Sequence, residues 1–213
     1  MKKTNDRDPY RRIAGLYERL FGSVNKRLRI LGLRLHLPPK GGSILDVGCG
    51  TGTHLETYNW RACKLYGIDT SPSMLKVARE RLGNNAELIQ ADASEMPYKS
   101  DFFDLILCML VLHEMDDDVR SSVLGEMKRV SKNDGRILLI DYHAGKPGKL
   151  RGRFSKLLIV LTEIAAGRRH FRNYRHFMSI GGLPALIDRS QLVTDKKRIV
   201  GNDTLSLYLV RPE

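Results

Sequence analysis

The fold is decided by the stretch Ile44-Leu45-Asp46-Val47-Gly48-Cys49-Gly50-Thr51-Gly52. The apolar run that starts at Ser43 predicts a buried strand, and a glycine-rich turn then leads into a helix that begins near Thr53. In an open parallel sheet, ligands bind beyond the carboxyl ends of the strands. The turn therefore predicts a binding loop for a nucleotide-like ligand, and its three alternating glycines would let the backbone approach that ligand closely.

The glycine spacing does not match the two common nucleotide loops. A dinucleotide fingerprint requires Gly or Ala three residues after Gly50, where this chain has Thr53. The sequence also contains no GxxxxGK[ST] phosphate-binding loop. The loop therefore favours neither a nicotinamide dinucleotide nor a nucleoside triphosphate.

Apolar strand-like runs alternate with helical patterns through most of the chain. A helix is predicted from Ser71 as N-cap and Pro72 as first helical residue to a stop at Gly83, and another from the acids at 116–118 to about Val130. The predicted strands are 43–47, 64–68, 87–90, 103–109 and 137–140, with two more β-like runs at 191–199 and 205–210. Such alternation predicts a parallel sheet covered by helices.

Acidic residues lie at, or just after, the ends of three successive predicted strands. Asp46 ends the first strand, Asp69 the second, and Asp92 comes just after the third. A carboxylate at the end of the second strand can accept hydrogen bonds from both hydroxyls of a ribose. The three acids together predict one loop for an amino-acid group, one for a ribose and one for a base.

Four segments resemble the successive motifs of class I S-adenosylmethionine-dependent methyltransferases. They are ILDVGCGTGTHL (44–55), YGIDTSPSMLKVAR (66–79), LIQADASEMPYKSDFFDLILCMLVLHEM (88–115) and EMKRVSKNDGRILLID (126–141). Within the family, the sequence is most similar to the ubiquinone/menaquinone biosynthesis C-methyltransferases and the bacterial phospholipid N-methyltransferases. The resemblance implies a three-layer Rossmann-like fold with a mostly parallel seven-stranded sheet, its last strand antiparallel, and S-adenosyl-L-methionine as cofactor, with S-adenosyl-L-homocysteine as product.

The resemblance also implies a set of cofactor-binding residues. The glycines of the loop would line the methionine part, with Asp46 at its amino group. Asp69 would hold the ribose, while Met74, Asp92 and Ala93 would contact the adenine. The full implied set is Tyr17, Asp46, Gly48, Cys49, Gly50, Gly52, Asp69, Thr70, Met74, Asp92, Ala93 and Cys108.

Few residues are candidates for the chemical step. A sulfonium methyl donor is already activated, so the protein mainly aligns the acceptor, and a general base is needed only when the acceptor loses a proton. His113 follows the fourth strand, and Tyr142 with His143 follows the fifth, all at the edge where acceptors bind. Tyr17 matches a tyrosine that many relatives fold over the cofactor. The candidate catalytic residues are therefore His113, Tyr142 and Tyr17.

Cysteine usage and the N-terminal sequence indicate a cytoplasmic compartment. Cys49, Cys63 and Cys108 are odd in number and form no CxxC pair, which argues against both a disulfide framework and a zinc site. We accordingly expect no metal. The start MKKTNDRDPYRR has no apolar core of a signal peptide, and the run at 157–166 is too short to span a membrane.

The net charge of +12 is concentrated in two segments. Residues 1–40 hold 11 basic against 3 acidic residues, and 146–177 hold 9 against 1, so each balances at +8. Residues 41–145 between them balance at −5, with 11 against 16. We therefore expect a basic helical lid at 1–40, followed by a methyltransferase domain at 41–213 that carries a basic helical insertion at about 146–177.

Two functions compete for these basic segments. In the first, a small-molecule or lipid acceptor is methylated at an anionic membrane, because both segments combine apolar residues with Lys and Arg as interfacial helices do, and the enzyme is peripheral to that membrane. In the alternative, the segments bind the phosphates of RNA. Nucleic acid is less favoured, because no RNA-binding motif is appended and Phe171, Tyr174 and Phe177 form a short aromatic series. A further interpretation is that the basic residues of both segments only keep the protein soluble. Intact cofactor motifs argue against a non-enzymatic regulator.

Overall fold

A computed structural model describes Asp8, residues 17–145 and residues 150–213, with only the backbone described at 17–21, 23 and 24. The helices are α1 Tyr17–Leu35, α2 Thr53–Glu56, α3 Pro72–Leu82, α4 Asp117–Val130, α5 Leu150–Ala165, α6 Arg168–Ser179 and α7 Gly182–Arg189. The strands are β1 Ser43–Val47, β2 Lys64–Asp69, β3 Ala86–Gln90, β4 Phe103–Met109, β5 Ser131–Tyr142, β6 Leu192–Val200 and β7 Leu205–Pro212. Short 3₁₀ turns occur at Asn59–Arg61, Gly83–Asn85 and Leu112–Glu114.

The strands form one seven-stranded sheet in the order β3-β2-β1-β4-β5-β7-β6. The first five strands pair in parallel, whereas β7 inserts between β5 and β6 and runs antiparallel to both. This arrangement confirms the predicted fold, including the antiparallel last strand. The strand order reverses at β1 and β4, and a ligand-binding crevice is expected beyond their carboxyl ends.

The central strands are apolar because helices cover both faces of the sheet. Leu45 of β1, Ile106 of β4 and Leu138 of β5 are fully buried, as expected for parallel strands with two covered faces. Strand β3 lies at the edge and is largely half-exposed. The sheet is thus a rigid platform that fixes where the loops after β1, β2 and β4 can lie.

Helix α3 begins as its sequence predicts. The Ser71 side chain accepts a hydrogen bond from the Met74 amide at 3.1 Å, and Pro72 occupies the first helical position. Asp8 adds to this N-terminus, because its carboxylate accepts from the Ser71 hydroxyl at 2.9 Å and the Ser73 amide at 3.0 Å. The N-terminal segment is therefore held beside the predicted binding loop at one described point.

Two elements differ in length from their predictions. The helix near Thr53 is a single turn, α2. Strand β5 is longer than the predicted 137–140, because it begins at Ser131 and pairs through a register shift beside Phe103. Asn133 and Asp134 are exposed, and Lys132 and Arg136 are half-buried, so apolar patterning could not reveal that part of the strand.

The C-terminal half of α1 packs on the sheet. Leu28 is buried, and a Cβ added at Gly32 would lie 2.7 Å from Leu138 Cδ2. Lys196 of β6 also donates to the Leu35 carbonyl at 2.8 Å. The apolar side chains predicted for the basic lid, Ile13, Leu16, Leu20, Phe21 and Val24, lie outside the described residues. Among the described helices, none is both long and apolar enough to cross a membrane.

Candidate active site

A cavity of about 300 Å³ lies beyond the carboxyl ends of β1, β2 and β4. Loops after these strands form its floor, and α1 and α6 each contribute to its walls. Nine residues predicted from the sequence line it: Asp46, Gly48, Cys49, Gly50, Asp69, Thr70, Met74, Asp92 and Ala93. The side chain of Tyr17, which was also predicted, lies outside the described residues.

The glycine loop is held against β2 by its own backbone. The amides of Gly48 and Cys49 both donate to the Ile68 carbonyl, at 2.9 and 3.1 Å. The Gly50 amide donates to Asp69 Oδ2 at 2.8 Å, while the Ser71 amide donates to Asp69 Oδ1 at 2.8 Å. Burial raises the pKa of Asp69, and these amide donors partly offset the rise. Asp69 thus fixes the shape of the loop and also faces the cavity.

Gly50 has the backbone conformation that favours glycine. Its φ is +51°, and no described atom lies within 4 Å of a Cβ built there. Since Gly50 lines the cavity, the space that such a side chain would enter is open. This combination identifies Gly50 as a position where a side chain would compete with a ligand.

The structure does not bring Gly52 or Cys108 to the cavity wall. A Cβ at Gly52 would meet Leu82 Cδ1 of α3 at 2.8 Å, so this glycine permits helix packing. Cys108 is buried inside β4, where it pairs with Val47 and Leu139. Burial raises the pKa of its thiol well above the ordinary value.

One end of the cavity carries buried charge of both signs. Asp46 and Arg29 are both almost fully buried, and Arg29 donates to Thr53 Oγ1 at 2.9 Å. Burial, with help from the Asp69 charge, raises the pKa of Asp46 well above its ordinary value. His54 has its Nδ1 3.9 Å from Asp46, and burial lowers the pKa of His54 to about 3, so its ring is neutral.

Sequence patterns alone did not identify the residues of α1 that line the charged end of the cavity. Asn25 and Arg29 both line the cavity from that helix. Their spacing of four residues places them on one helical face, next to the buried Leu28. A helical projection that marked polar residues on the core-facing side would have identified them.

The loop after β3 borders another part of the cavity. The Asp92 side chain is exposed, and its Oδ1 accepts from the Ser94 amide at 2.9 Å and from the Ser94 hydroxyl at 2.8 Å. Ala93 beside it is buried, as is Met74 at the start of α3. An apolar wall with a carboxylate at its rim suits a flat ring that carries an amino group.

The remaining wall leads to a histidine–carboxylate cluster formed by His113, Glu114, Asp141, Glu163 and His170. Glu114 lines the cavity, together with Met115, Asp116, Val119 and, from α6, Arg169. Behind it, His113 Nδ1 lies 2.8 Å from Asp141 Oδ1, and His170 Nε2 lies 2.7 Å from Glu163 Oε2. Residues from β5, α5 and α6 therefore converge behind one wall of the cavity.

Neither catalytic candidate with a described side chain lines the cavity: His113 belongs to this cluster, and Tyr142 contacts it. The Tyr142 hydroxyl donates to Glu163 Oε1 at 2.8 Å, and burial together with Glu163 raises its pKa well above the ordinary value. Burial alone would lower the pKa of His113, but Asp141, Glu114 and Glu163 outweigh it and raise the pKa to about 9. His113 is thus protonated at neutral pH, and in this state it cannot accept a proton from an acceptor.

His143 lies outside the cavity lining as well. It forms an isolated bridge with Gly182, and burial lowers its pKa. The residues that sequence reasoning missed here are Asp141, Glu163 and His170, which come from three separate elements. Their spacing in the chain gives no local motif, so only the fold brings them together.

Comparison with known proteins agrees with this geometry. The family model described as "Methyltransferase domain" matches residues 45–139. A phosphatidylethanolamine N-methyltransferase of Cereibacter sphaeroides is 33% identical over 146 residues, which cover 66% of this chain and 70% of that protein. A ubiquinone/menaquinone biosynthesis C-methyltransferase of Burkholderia mallei is 31% identical over 48% of this chain and 44% of its own length.

A solved methyltransferase structure shares the fold. A crystal structure of a SAM-dependent methyltransferase from Aquifex aeolicus superposes with a TM-score of 0.60 at 18% identity, covering 85% of this chain and 88% of the other. The chain therefore belongs to the class I S-adenosylmethionine-dependent methyltransferases, and S-adenosylmethionine is its methyl donor. Within that class it falls in the subgroup that resembles the ubiquinone/menaquinone C-methyltransferases and the phospholipid N-methyltransferases.

Proposed function

We propose that this enzyme methylates a lipid, or a small molecule dissolved in lipid, at the surface of an anionic membrane. The observation that carries the proposal is the outer face of α5. Six large apolar residues on that helix are between 48% and 81% exposed: Leu150, Phe154, Leu157, Leu158, Leu161 and Ile164. Their spacing of three or four residues places them in one stripe along the helix.

The opposite face of α5 packs on the protein. Gly152 and Glu163 are buried, and Ile159 and Val160 pack against the core. The exposed stripe is therefore separate from the face of α5 that packs against the core. An exposed apolar patch with a polar rim marks an interaction surface.

Basic residues border the stripe. Arg151 and Arg153 are exposed on α5 on either side of the stripe. On the neighbouring α6, Arg168, Arg169 and Arg172 are also exposed, and Arg169 and Arg172 pair with Asp116. An apolar face flanked by Lys and Arg is the pattern of a helix that lies in the interface of an anionic membrane. Each basic residue near such a surface contributes about 1 kcal/mol at low ionic strength.

The same two helices lie beside the site. Arg169 lines the cavity, while Glu163 of α5 and His170 of α6 belong to the cluster behind it. A membrane that contacts α5 would thus lie close to this side of the cavity, where we propose that the acceptor binds. We extend the proposal to the basic lid at 1–40, which would cover the acceptor side together with 146–177. The names of the relatives support a lipid or quinone acceptor, since they include a phosphatidylethanolamine and a ubiquinone/menaquinone methyltransferase.

We assign the parts of the cofactor to regions of the cavity by the charge and polarity of the residues there. Asp46 and Arg29 would hold the ammonium and carboxylate of the methionine part, because opposite buried charges suit a zwitterion. Asp69 would accept from the ribose hydroxyls. The adenine would pack on Met74 and meet Asp92 and Ala93 at its edge. Backbone atoms would contact the cofactor at Gly48, Cys49, Gly50 and Thr70. Tyr17 would fold over it.

For the acceptor, we propose a positioning role for His113 and Tyr142. Both contact Glu163 of α5, at 3.6 Å from His113 Nε2 and 2.8 Å from the Tyr142 hydroxyl. Through Glu163 they would hold α5 and α6 at a fixed distance from the cavity. Methyl transfer depends on in-line alignment, so this placement would act on the rate of the chemical step.

Replacing Asp69 by alanine is expected to weaken binding of S-adenosylmethionine by roughly 10- to 150-fold, or about 1.5–3 kcal/mol for a charge-assisted hydrogen bond. The variant leaves the ribose hydroxyls without a charged acceptor and also releases the Gly50 amide. Isothermal calorimetry measures the change. The matched control is Glu95→Ala, an exposed acid one turn beyond Asp92 that does not line the cavity. Equal affinities for wild type and Asp69→Ala would remove Asp69 from the site.

Cofactor binding is expected to strengthen as pH rises towards 7. Burial, and then the Asp69 charge, raises the pKa of Asp46 in the free protein. A bound ammonium would lower that pKa, so binding releases a proton wherever free Asp46 is protonated. Affinity then rises by up to about tenfold per pH unit between the ordinary pKa of an aspartate and the raised one.

Calorimetry in buffers of different ionisation enthalpy counts the released protons. Measurements stay below pH 7, where the α-amino group of the cofactor, with its pKa near 7.7–8.0, is fully charged. The variant Asp46→Asn should bind weakly and without this pH dependence. An Asp46→Asn variant with the pH dependence of the wild type would assign the proton to another group.

The membrane proposal is tested by flotation with vesicles. Wild-type protein is expected to float with vesicles that contain phosphatidylglycerol, to float less as salt rises, and to retain some binding at high salt because apolar burial is not screened. A parallel RNA gel shift over the same salt series tests the alternative. Absence of vesicle binding at low salt would refute the proposal, and salt-sensitive RNA binding in that case would favour the nucleic-acid acceptor.

A further inference from the structure

We infer that the histidine–carboxylate cluster is a binding site for one divalent transition-metal ion of the zinc type. The proposed ligands are His113 Nε2, His170 Nε2 and a carboxylate oxygen of Glu114. These three atoms all lie within 4.8 Å of one another. Glu114 also lines the cofactor cavity, so the ion would lie at the cavity wall.

The spacing of the ligand atoms suits a small cation. Glu114 Oε1 lies 4.0 Å from His113 Nε2 and 3.8 Å from His170 Nε2. Zinc bonds of 2.0–2.2 Å to nitrogen and oxygen place tetrahedral ligand atoms roughly 3.3–3.5 Å apart. The two separations from Glu114 exceed these values by only about 0.3–0.7 Å, a difference that rotations of Glu114 and His170 can supply because neither residue is fully buried.

His113 is already oriented as a ligand, and its Nε2 proton would be released to solvent when the ion binds. Its Nδ1 lies 2.8 Å from Asp141 Oδ1, which fixes the ring and directs Nε2 towards Glu114 and Glu163. Asp141 is itself fully buried and held by the amides of His113 at 3.3 Å and Tyr142 at 2.7 Å. A carboxylate behind a histidine ligand is the usual second layer of a zinc site, because it sets the tautomer and raises the basicity of the ring.

Glu163 supplies further negative charge beside the ligands. It is buried on α5, 3.6 Å from His113 Nε2 and 2.7 Å from His170 Nε2, and it also accepts from the Tyr142 hydroxyl. Buried carboxylates are costly unless they are paired or lie beside a cation. Three carboxylates around two imidazoles therefore form a pocket that a divalent ion would stabilise. Two imidazoles with one carboxylate match the ligand set of zinc sites that keep an open position.

Zinc titration of the untagged, chelator-stripped full chain tests the inference. The expected result is saturable binding of one Zn²⁺ per chain by calorimetry, one retained zinc after dialysis by elemental analysis, and a rise in melting temperature with zinc. A background of Cys63→Ser removes the half-exposed free thiol, which would otherwise bind zinc elsewhere.

Two ligand variants and one matched control make the test specific. His170→Ala and Glu114→Gln are each expected to weaken zinc binding at least roughly tenfold, the lower end of the loss for groups that support a zinc site. His176→Ala removes another histidine from α6, one whose side chain is half-exposed and outside the ligand set, and should bind zinc like the wild type. Folding of each variant is checked by its unfolding transition without zinc, and Glu114→Gln preserves side-chain volume.

The opposite results would overturn the inference. They are no saturable uptake at one ion per chain, or equal zinc affinity in the His170→Ala and His176→Ala variants. Either outcome would mean that the five residues form a buried ion-pair network only. Neither readout depends on methyl transfer, so failure here leaves the proposed acceptor unaffected.

Discussion

Replacing Gly50 by valine is expected to abolish binding of S-adenosylmethionine while the chain still folds. The backbone at Gly50 has φ +51°, a conformation that costs a residue with a Cβ roughly 1–2 kcal/mol. The two methyl groups would also enter open space in the cavity, since no described atom lies within 4 Å of the added Cβ. Together these effects predict an affinity loss of about 100-fold or more, or at least about 2.8 kcal/mol.

The chain offers a matched control at Gly83. Its φ is +53°, and a Cβ added there also has no described atom within 4 Å, but Gly83 ends α3 outside the cavity. Gly83→Val should therefore lower the melting temperature without changing cofactor affinity. Gly50→Ala should give an intermediate loss, since it adds strain with less volume. A folded Gly50→Val variant that binds like the wild type would show that the cofactor occupies a different loop.

The double change Leu157→Asp, Leu158→Asp is expected to reduce binding to anionic vesicles by roughly 100-fold or more at every salt concentration. Each leucine is about half exposed in the free protein and would contribute about 1.5 kcal/mol on burial in lipid. Each new carboxylate would also be repelled by the anionic surface, by about 1 kcal/mol at low ionic strength. Vesicle flotation over a salt series measures the loss.

Thr162→Asp on the same helix is the control. Thr162 is exposed but lies outside the apolar stripe, so one added charge there should weaken binding at low salt and have little effect at high salt. Unchanged cofactor affinity in the double variant would show that the site is intact. If the double variant binds vesicles as well as Thr162→Asp does, the α5 stripe is not the docking surface.

The sequence was sufficient to predict most of the residues that line the cavity, because this part of the molecule is built from local patterns. The glycine loop, the acids at the ends of β1 and β2, and the N-cap at Ser71 each lie in, or within a few residues of, the strand or helix that positions them. Parallel strands then bring their carboxyl ends to one edge, so residues that follow them must converge. This is why nine predicted residues line one cavity.

Sequence position alone did not predict in every case which residues line the cavity. Gly52 and Cys108 occupy motif positions, yet one packs on α3 and the other lies inside β4. The position of a residue in a motif does not determine whether it faces the cavity. Its orientation depends on how the neighbouring helix or strand packs against it. Likewise, the place of His113 after β4 suggested a base, but nearby carboxylates raise its pKa to about 9.

The sequence by itself determined the fold class and the methyl donor, because strand periodicity and glycine placement act over short distances in the chain. Only the tertiary structure decided which face of α5 is exposed and which groups surround His113. Leu157 and Glu163 lie on one short helix, and their opposite environments follow from how that helix packs against α6 and β5. Asp141, Glu163 and His170 meet across three elements, and contacts between residues so far apart in the chain arise from packing and not from any local pattern.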